Sequence, residues 1–139
     1  MKEVLSEIEV TLDVIGGKWK PLILHLLQTQ GTNRYSEILR YLETAPKKTL
    51  TQQLKELEAQ GIVKREVIPT TPVQVQYSIT EHGESIFPLL DVMCAWGYVN
   101  MSDQYQLKHP TCTFDETTKL EKQAKLDQLA TLFTVETSK

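Results

Sequence analysis

The stretch from Thr44 to Ile79 constrains this chain most, because a short amphipathic helix there runs straight into a hairpin. Leu50, Leu54 and Leu57 recur at helical spacing and define one apolar stripe. The other face presents Lys47, Lys48, Thr51, Gln52 and Lys55, with Thr49 in the same turn. Gly61 then stops the helix, as a residue that tolerates positive φ at the first position past the end. Val63 to Ile68 and Val73 to Ile79 are rich in β-branched residues and alternate in polarity, which predicts two strands. Pro69-Thr70-Thr71-Pro72 separates them, and its prolines prevent continued pairing at the tip. A recognition helix handing over to a basic strand is what a winged helix-turn-helix needs. A charged helix face that is only solvated fits the same segment, and the segment by itself leaves both readings open.

Upstream, Val4, Leu5, Ile8, Leu12 and Ile15 predict an amphipathic helix from Glu3 to Ile15, with Glu3, Glu7, Glu9 and Asp13 outside. Gly16-Gly17 breaks it. A second helix follows from Lys18 to Gln28, with Pro21 in its first turn, where a missing N–H has no intrahelical partner. Trp19, Leu22, Ile23, Leu26 and Leu27 make this helix apolar over much of its circumference, so it belongs at the centre of the core. Gln30-Gly31-Thr32-Asn33 is a turn. Tyr35 to Leu42 is a third helix, capped by Asn33. The link Glu43-Thr44-Ala45 leads to the fourth helix, with Pro46 at its first position and Thr44 or Ala45 as its cap. Downstream, Thr80 is expected to cap one long helix containing Ile86, Leu89, Leu90, Met93 and Trp96. Thr117 to Phe133 form a last helix, and His109 to Phe114 an extended connection before it.

The fold class is therefore mainly α with a small β-wing. At 139 residues, 40% hydrophobic and 24% charged, the chain suits one globular domain. Residues 1–100 are expected to form a winged helix-turn-helix with dimerisation helices, and residues 101–139 a C-terminal helical extension, packed on the dimer or partly mobile. The first and the long helix expose more apolar surface than one small module covers. The expectation is a homodimer built from Val4, Leu5, Ile8, Leu12, Leu89, Leu90, Met93 and Trp96.

The net charge of −3 divides unevenly. From Lys18 to Glu66 there are nine Lys/Arg and five Asp/Glu, a balance of +4, while the rest of the chain stands at −7. Nucleic-acid binding depends on the local field over a patch, so an acidic remainder does not forbid it. No apolar run is long enough to span a bilayer, and the acidic N-terminal stretch is no signal peptide, which predicts a cytoplasmic protein. Cys94 and Cys112 form no metal-binding or redox pair, and no spacing links His25, His82 and His109. No cofactor, metal or membrane partner is expected, and the sequence offers no nucleophile–base pair or grouped carboxylates for an enzyme.

The block Thr11-Leu12-Asp13-Val14-Ile15-Gly16-Gly17-Lys18-Trp19-Lys20 resembles the opening of HxlR-type transcriptional regulators, which are MarR-like winged helix-turn-helix proteins. The resemblance continues in Leu50 to Glu58, in Val75-Gln76-Tyr77-Ser78-Ile79-Thr80 and in Cys94-Ala95-Trp96-Gly97, and covers about Ser6 to Val99. It implies a bacterial, cytoplasmic homodimer that binds operator DNA, as a repressor at a palindromic site. Several members carry a sensing cysteine where this chain has Ser6. A hydroxyl cannot supply the thiolate that such sensing needs, so a thiol switch is chemically excluded there. The family's usual serine at the start of the recognition helix is replaced by Pro46.

Under this reading Gln52 and Thr51 meet base edges, because Gln bonds adenine bidentately and Thr meets the thymine methyl. Lys47, Lys48 and Lys55, with Arg34, Lys64 and Arg65, hold phosphates and set position. Tyr35 reads as a packed aromatic. The wing tip lacks Arg and Lys, which argues against deep minor-groove insertion. Cys94 reads as a small buried hydrophobe, and Trp19 and Trp96 as core or dimer anchors. Any effector is expected to be a small apolar ligand lodged between the dimerisation helices and the DNA-binding core. The competing reading is a winged-helix protein-interaction module without DNA binding, since fold does not fix function.

Overall fold

A computed structural model describes residues 1–110 and 115–133 of the chain, so Cys112 and most of the predicted extended connection lie outside the described residues. The chain divides into two compact units, Met1–Phe87 and Pro88–Lys139. The first holds α1 (Glu7–Ile15), α2 (Trp19–Gln30), β1 (Asn33–Arg34), α3 (Tyr35–Leu42), α4 (Lys47–Ala59), β2 (Val63–Ile68), β3 (Gln74–Ile79) and a short α5 (Glu81–Glu84). Nearly all of α6 (Phe87–Asn100) and the whole of α7 (Glu116–Leu132) lie in the second.

The core of the first unit is organised around α2, where Ile23, Leu24, Leu26 and Leu27 are buried. It packs on α3, α4 and β3. On α4 the predicted stripe is confirmed: Leu50, Leu54 and Leu57 are at most 1% exposed. Burying each contributes about 1.5–3 kcal/mol. The helix ends as expected at Gly61, which has φ of +73°. Gly61 N–H donates to the Glu58 carbonyl and Ile62 N–H to the Leu57 carbonyl, both at 3.0 Å, the pairing that satisfies the last carbonyls of a helix. β2 and β3 then form the wing, with Val63 opposite Ile79 and Ile68 opposite Gln74.

Several expectations are corrected. α1 starts at Glu7 and not at Glu3, because Ser6 is its N-cap and its Oγ accepts the Ile8 N–H at 3.2 Å. Val4 and Leu5 therefore precede the helix. Asn33 does not cap α3; with Arg34 it forms a third strand, giving the antiparallel order β1-β3-β2. Arg34 occupies the cap position, and Glu37, three residues on, accepts its backbone N–H at 3.3 Å. Pro46 is itself the N-cap of α4, and its carbonyl accepts the Leu50 N–H at 2.9 Å. Thr80 caps only α5, through the Gly83 N–H at 2.9 Å. The long helix is broken at Ser85–Ile86, ahead of Pro88, which has no N–H to donate back to the preceding turn and sits in the first turn of α6.

Gly16 explains the double glycine between α1 and α2. Its N–H bonds the Leu12 carbonyl at 2.7 Å, and a Cβ there would collide with that same oxygen. The link between α3 and α4 is tighter still. Glu43 sits at φ +59°, ψ −60°, and Thr44 N–H reaches back to the Leu42 carbonyl at 2.6 Å. This is a γ-turn of the rare, strained, positive-φ kind. A residue with a Cβ held there costs about 1–3 kcal/mol, which exceeds the roughly 0.5–1 kcal/mol that glycine loses in extra chain entropy. Glu43→Gly is therefore expected to raise the unfolding free energy by about 1 kcal/mol in urea titration; a destabilised variant would show that the turn is unstrained.

Candidate nucleic-acid interface

Burial of the leucine stripe turns the polar face of α4 outward. Lys47, Lys48, Thr51, Gln52 and Lys55 are exposed, while Thr49 is half-buried. Beside this face a groove of about 720 Å³ opens between α4, the start of α3 and the wing. Arg34, Thr51, Lys55 and Arg65 line it, so four of the residues singled out in sequence are brought together. Glu58 lies among them, and Tyr35, Tyr77, Val73 and Val75 supply apolar wall.

Tyr35 is the brace between the two helices. Its hydroxyl donates to the Lys47 carbonyl at 3.3 Å and lies 3.1 Å from Thr51 Oγ1. This fixes α3 against the first turn of α4, in agreement with its reading as a packed aromatic. Arg34 is held by Glu37, Nε to Oε1 at 2.6 Å. The wing separates its two cations. Side chains alternate along a strand, and Arg65 shares the groove with its register partner Tyr77, so Lys64 points to the opposite sheet face. There Lys64 lies 3.9 Å from Glu66, a weak exposed pair.

Sequence reasoning missed Lys20. It is the buried cation of α2, with 9% of its side chain exposed, and its Nζ meets Glu56 Oε2 of α4 at 2.6 Å. The signal was available: one charge inside a helix that is otherwise apolar on that side. Glu56 also accepts from Gln52 Nε2 at 3.3 Å. The Lys20 ammonium, and after it the Gln52 amide, hold the Glu56 carboxyl below its ordinary value. Arg34 does the same for Glu37, through its side chain and then its backbone N–H.

The arrangement is a short two-helix unit with an exposed polar second helix, followed by a wing. Residues 14–105 match the HxlR-like helix-turn-helix family. The chain belongs to that family. The HTH-type transcriptional regulator YtcD of Bacillus subtilis is 46% identical over 105 residues, covering 75% of this chain and 82% of YtcD. A regulator of Methanothermobacter thermautotrophicus is 44% identical over 102 residues, covering 73% of this chain and 77% of its own. Among solved structures, the redox regulator HypR in its oxidised form superposes with a TM-score of 0.67 at 42% identity, covering 70% of this chain and 99% of HypR. This HxlR-like chain is thus a DNA-binding transcriptional regulator with the winged-helix fold expected from its sequence.

The residues proposed for self-association are placed as follows. Leu5, Ile8 and Leu12 are 98%, 71% and 56% exposed, and Val4, Met93 and Trp96 are exposed as well. Leu89 is half-buried, and Leu90 is already buried within the single chain. Trp96, being exposed, is no core anchor, and Cys94 is half-buried where full burial was expected. Among the described residues no helix is long and apolar enough to cross a membrane, and no cluster of His, Cys, Asp and Glu could hold a metal ion.

The depressed Glu56 and Glu37 carboxyls have a consequence in acid. A group whose folded pKa lies below its unfolded value of about 4.5 contributes its full stabilisation above that pH and loses it as pH falls through the folded value. Wild type should therefore lose this contribution to its stability as pH falls below about 4.5. Glu56→Gln should be less stable at neutral pH, since it leaves Lys20 buried without its counter-charge, and should show a shallower acid slope. Equal slopes in urea titrations across this range would refute the linkage.

Proposed function

We propose that this HxlR-like regulator is a cytoplasmic repressor that binds a palindromic operator as a homodimer, with α4 in the major groove. The reading rests on one observation: the exposed face of α4 is continuous with the cationic groove formed by Arg34, Lys55 and Arg65. Thr51 and Gln52 take the base edges, and Lys47, Lys48, Lys55 and Arg65 take phosphates. Of the designated cations, these four have no carboxylate within ion-pair distance among the described residues, whereas Arg34 and Lys64 do. The polar character of this face favours DNA over a protein partner, which would call for an apolar patch.

Dimerisation would cover the apolar residues left exposed on α1 and α6. Two related α4 helices then meet half-sites about 10 base pairs apart. Ser6 serves as an N-cap, and its hydroxyl gives no thiolate for oxidant sensing. This sets the chain apart from any regulator that senses through a thiol at that position.

Lys48→Ala and Arg65→Ala should weaken binding to operator and to random duplex by similar factors, each lowering the salt slope by about one. Lys64→Ala, on the other sheet face, should do less. Anisotropy titrations at several salt concentrations decide this, and binding insensitive to salt would sink the proposal.

Sedimentation equilibrium at micromolar concentration should give a dimer, and Leu12→Glu should shift it to monomer and abolish operator binding. A wild-type monomer that still binds a symmetric site would overturn the assembly.

A further inference from the structure

The opening Gly16-Gly17-Lys18-Trp19-Lys20 block and the recognition helix meet at one contact that the proposed function does not use. Lys20 Nζ lies 2.6 Å from Glu56 Oε2, and the other carboxylate oxygen, Oε1, lies 3.3 Å from Gln52 Nε2. Gln52 is exposed on the face read as contacting bases, one helical turn before Glu56. We infer that Lys20 and Glu56 are positioning residues that fix the orientation of the Gln52 amide, and hence which bases it accepts.

The argument is one of hydrogen-bond polarity. An ionised carboxylate only accepts, so it must face the NH₂ of Gln52 and never its carbonyl. The amide is held with Nε2 toward Glu56 and Oε1 directed away from it. Lys20, nine-tenths buried, keeps the carboxylate ionised and anchored to α2, a helix that does not share the DNA-facing surface. Gln52 therefore presents an acceptor, with one amide N–H still uncommitted. In the major groove the exocyclic donors are adenine N6–H and cytosine N4–H, whereas guanine O6 and thymine O4 are acceptors. The orientation selects an amine-bearing base opposite Gln52, and adenine best, because the second N–H can also reach its N7. Without the carboxylate the amide turns over and serves carbonyl-bearing bases equally well.

This inference rests on the reading of α4 as the base-contacting helix. Selection from randomised duplexes with the full-length wild type defines the preferred site, and loss of preference in Gln52→Ala locates the position it reads. Anisotropy with all four base pairs at that position then compares wild type, Glu56→Gln, Lys20→Met and Gln52→Ala/Glu56→Gln. Wild type should favour adenine or cytosine over guanine or thymine, by about 10-fold for one well-made base contact. Glu56→Gln and Lys20→Met should flatten that ratio several-fold while preserving preferences elsewhere in the site, and the double variant should add nothing to Gln52→Ala.

A purely structural role would lower thermal stability and weaken all duplexes alike, leaving the ratio intact, and that result overturns the inference. Should both Glu56 and Lys20 variants unfold, the side-chain amide resonances of Gln52 in wild type supply the second measurement. A proton displaced from the values of a free glutamine side chain, and returning to them as Glu56 is protonated in acid, indicates a held amide; free-glutamine shifts throughout overturn the inference. If wild type prefers no sequence at all, the reading of α4 falls and the positioning role with it. If wild type discriminates and Glu56→Gln discriminates equally, only the positioning role falls.

Discussion

The seating of α4 on α2 is the constraint on which the DNA-binding unit depends. Leu50, Leu54 and Leu57 are essentially removed from solvent, and a helix with one stripe so fixed has no rotational freedom left. Its opposite face is then determined by the 3.6-residue period alone. Lys47, Lys48, Thr51, Gln52 and Lys55 face solvent because the leucines cannot. Two further contacts set the helix along and across its axis. Tyr35 pins the first turn through the Lys47 carbonyl, and Gln60 Nε2 ties the last turn to the Asp13 carbonyl at the end of α1, at 3.1 Å. α4 is thus held at both ends and along one side, as its proposed role as a rigid reading head requires.

Much of this frame was legible in the sequence because it is periodic or because it uses residues with one conformational use. The leucine stripe, the two wing strands and the stop at Gly61 are of that kind. The short strand β1 was not legible. Two residues, Asn33 and Arg34, carry no period, and they become a strand only because Tyr77 and Gln76 of β3 lie opposite. Glu43 was equally silent, since a glutamate gives no warning of positive φ; the turn is imposed by the need to cross α3 onto α4 in very few residues. The single helix expected after Thr80 failed for a readable reason, because Pro88 stood in its path. The groove lay beyond sequence reasoning altogether, for Arg34, Lys55 and Arg65 come from three elements that only tertiary packing brings together.

Ser6 decides where α1 begins and what chemistry its N-terminus can offer. As the N-cap of α1 its hydroxyl satisfies the Ile8 N–H, one of the donors that the first turn leaves unpaired. Glu9 reaches back to the Leu5 N–H at 2.6 Å, so the entry to α1 is closed from both sides. The serine makes this terminus a good local cap and gives up any redox chemistry there. Fixing the start of α1 at residue 7 also leaves Leu5 outside the helix, where it is almost fully exposed beside a stripe formed by Ile8 and Leu12.

The net charge of −3 is reconciled with DNA binding by where the carboxylates are spent. Of the five acidic residues between Lys18 and Glu66, Glu37, Glu56 and Glu66 each stand within ion-pair distance of a Lys or Arg. Each of these three pairs has a structural task or a remote address. Glu37 closes the N-terminus of α3, Glu56 neutralises a buried lysine, and Glu66 accompanies Lys64 on the far side of the wing. What remains over α4 and the groove is Lys47, Lys48, Lys55 and Arg65, opposed by Glu58. A phosphate approaching this face meets a local excess of cations that need break no existing pair to receive it, while the acidic surplus of the chain lies elsewhere in the sequence. Screening over about 8–10 Å at physiological ionic strength then separates the two populations, so the local balance and not the total decides what this surface attracts.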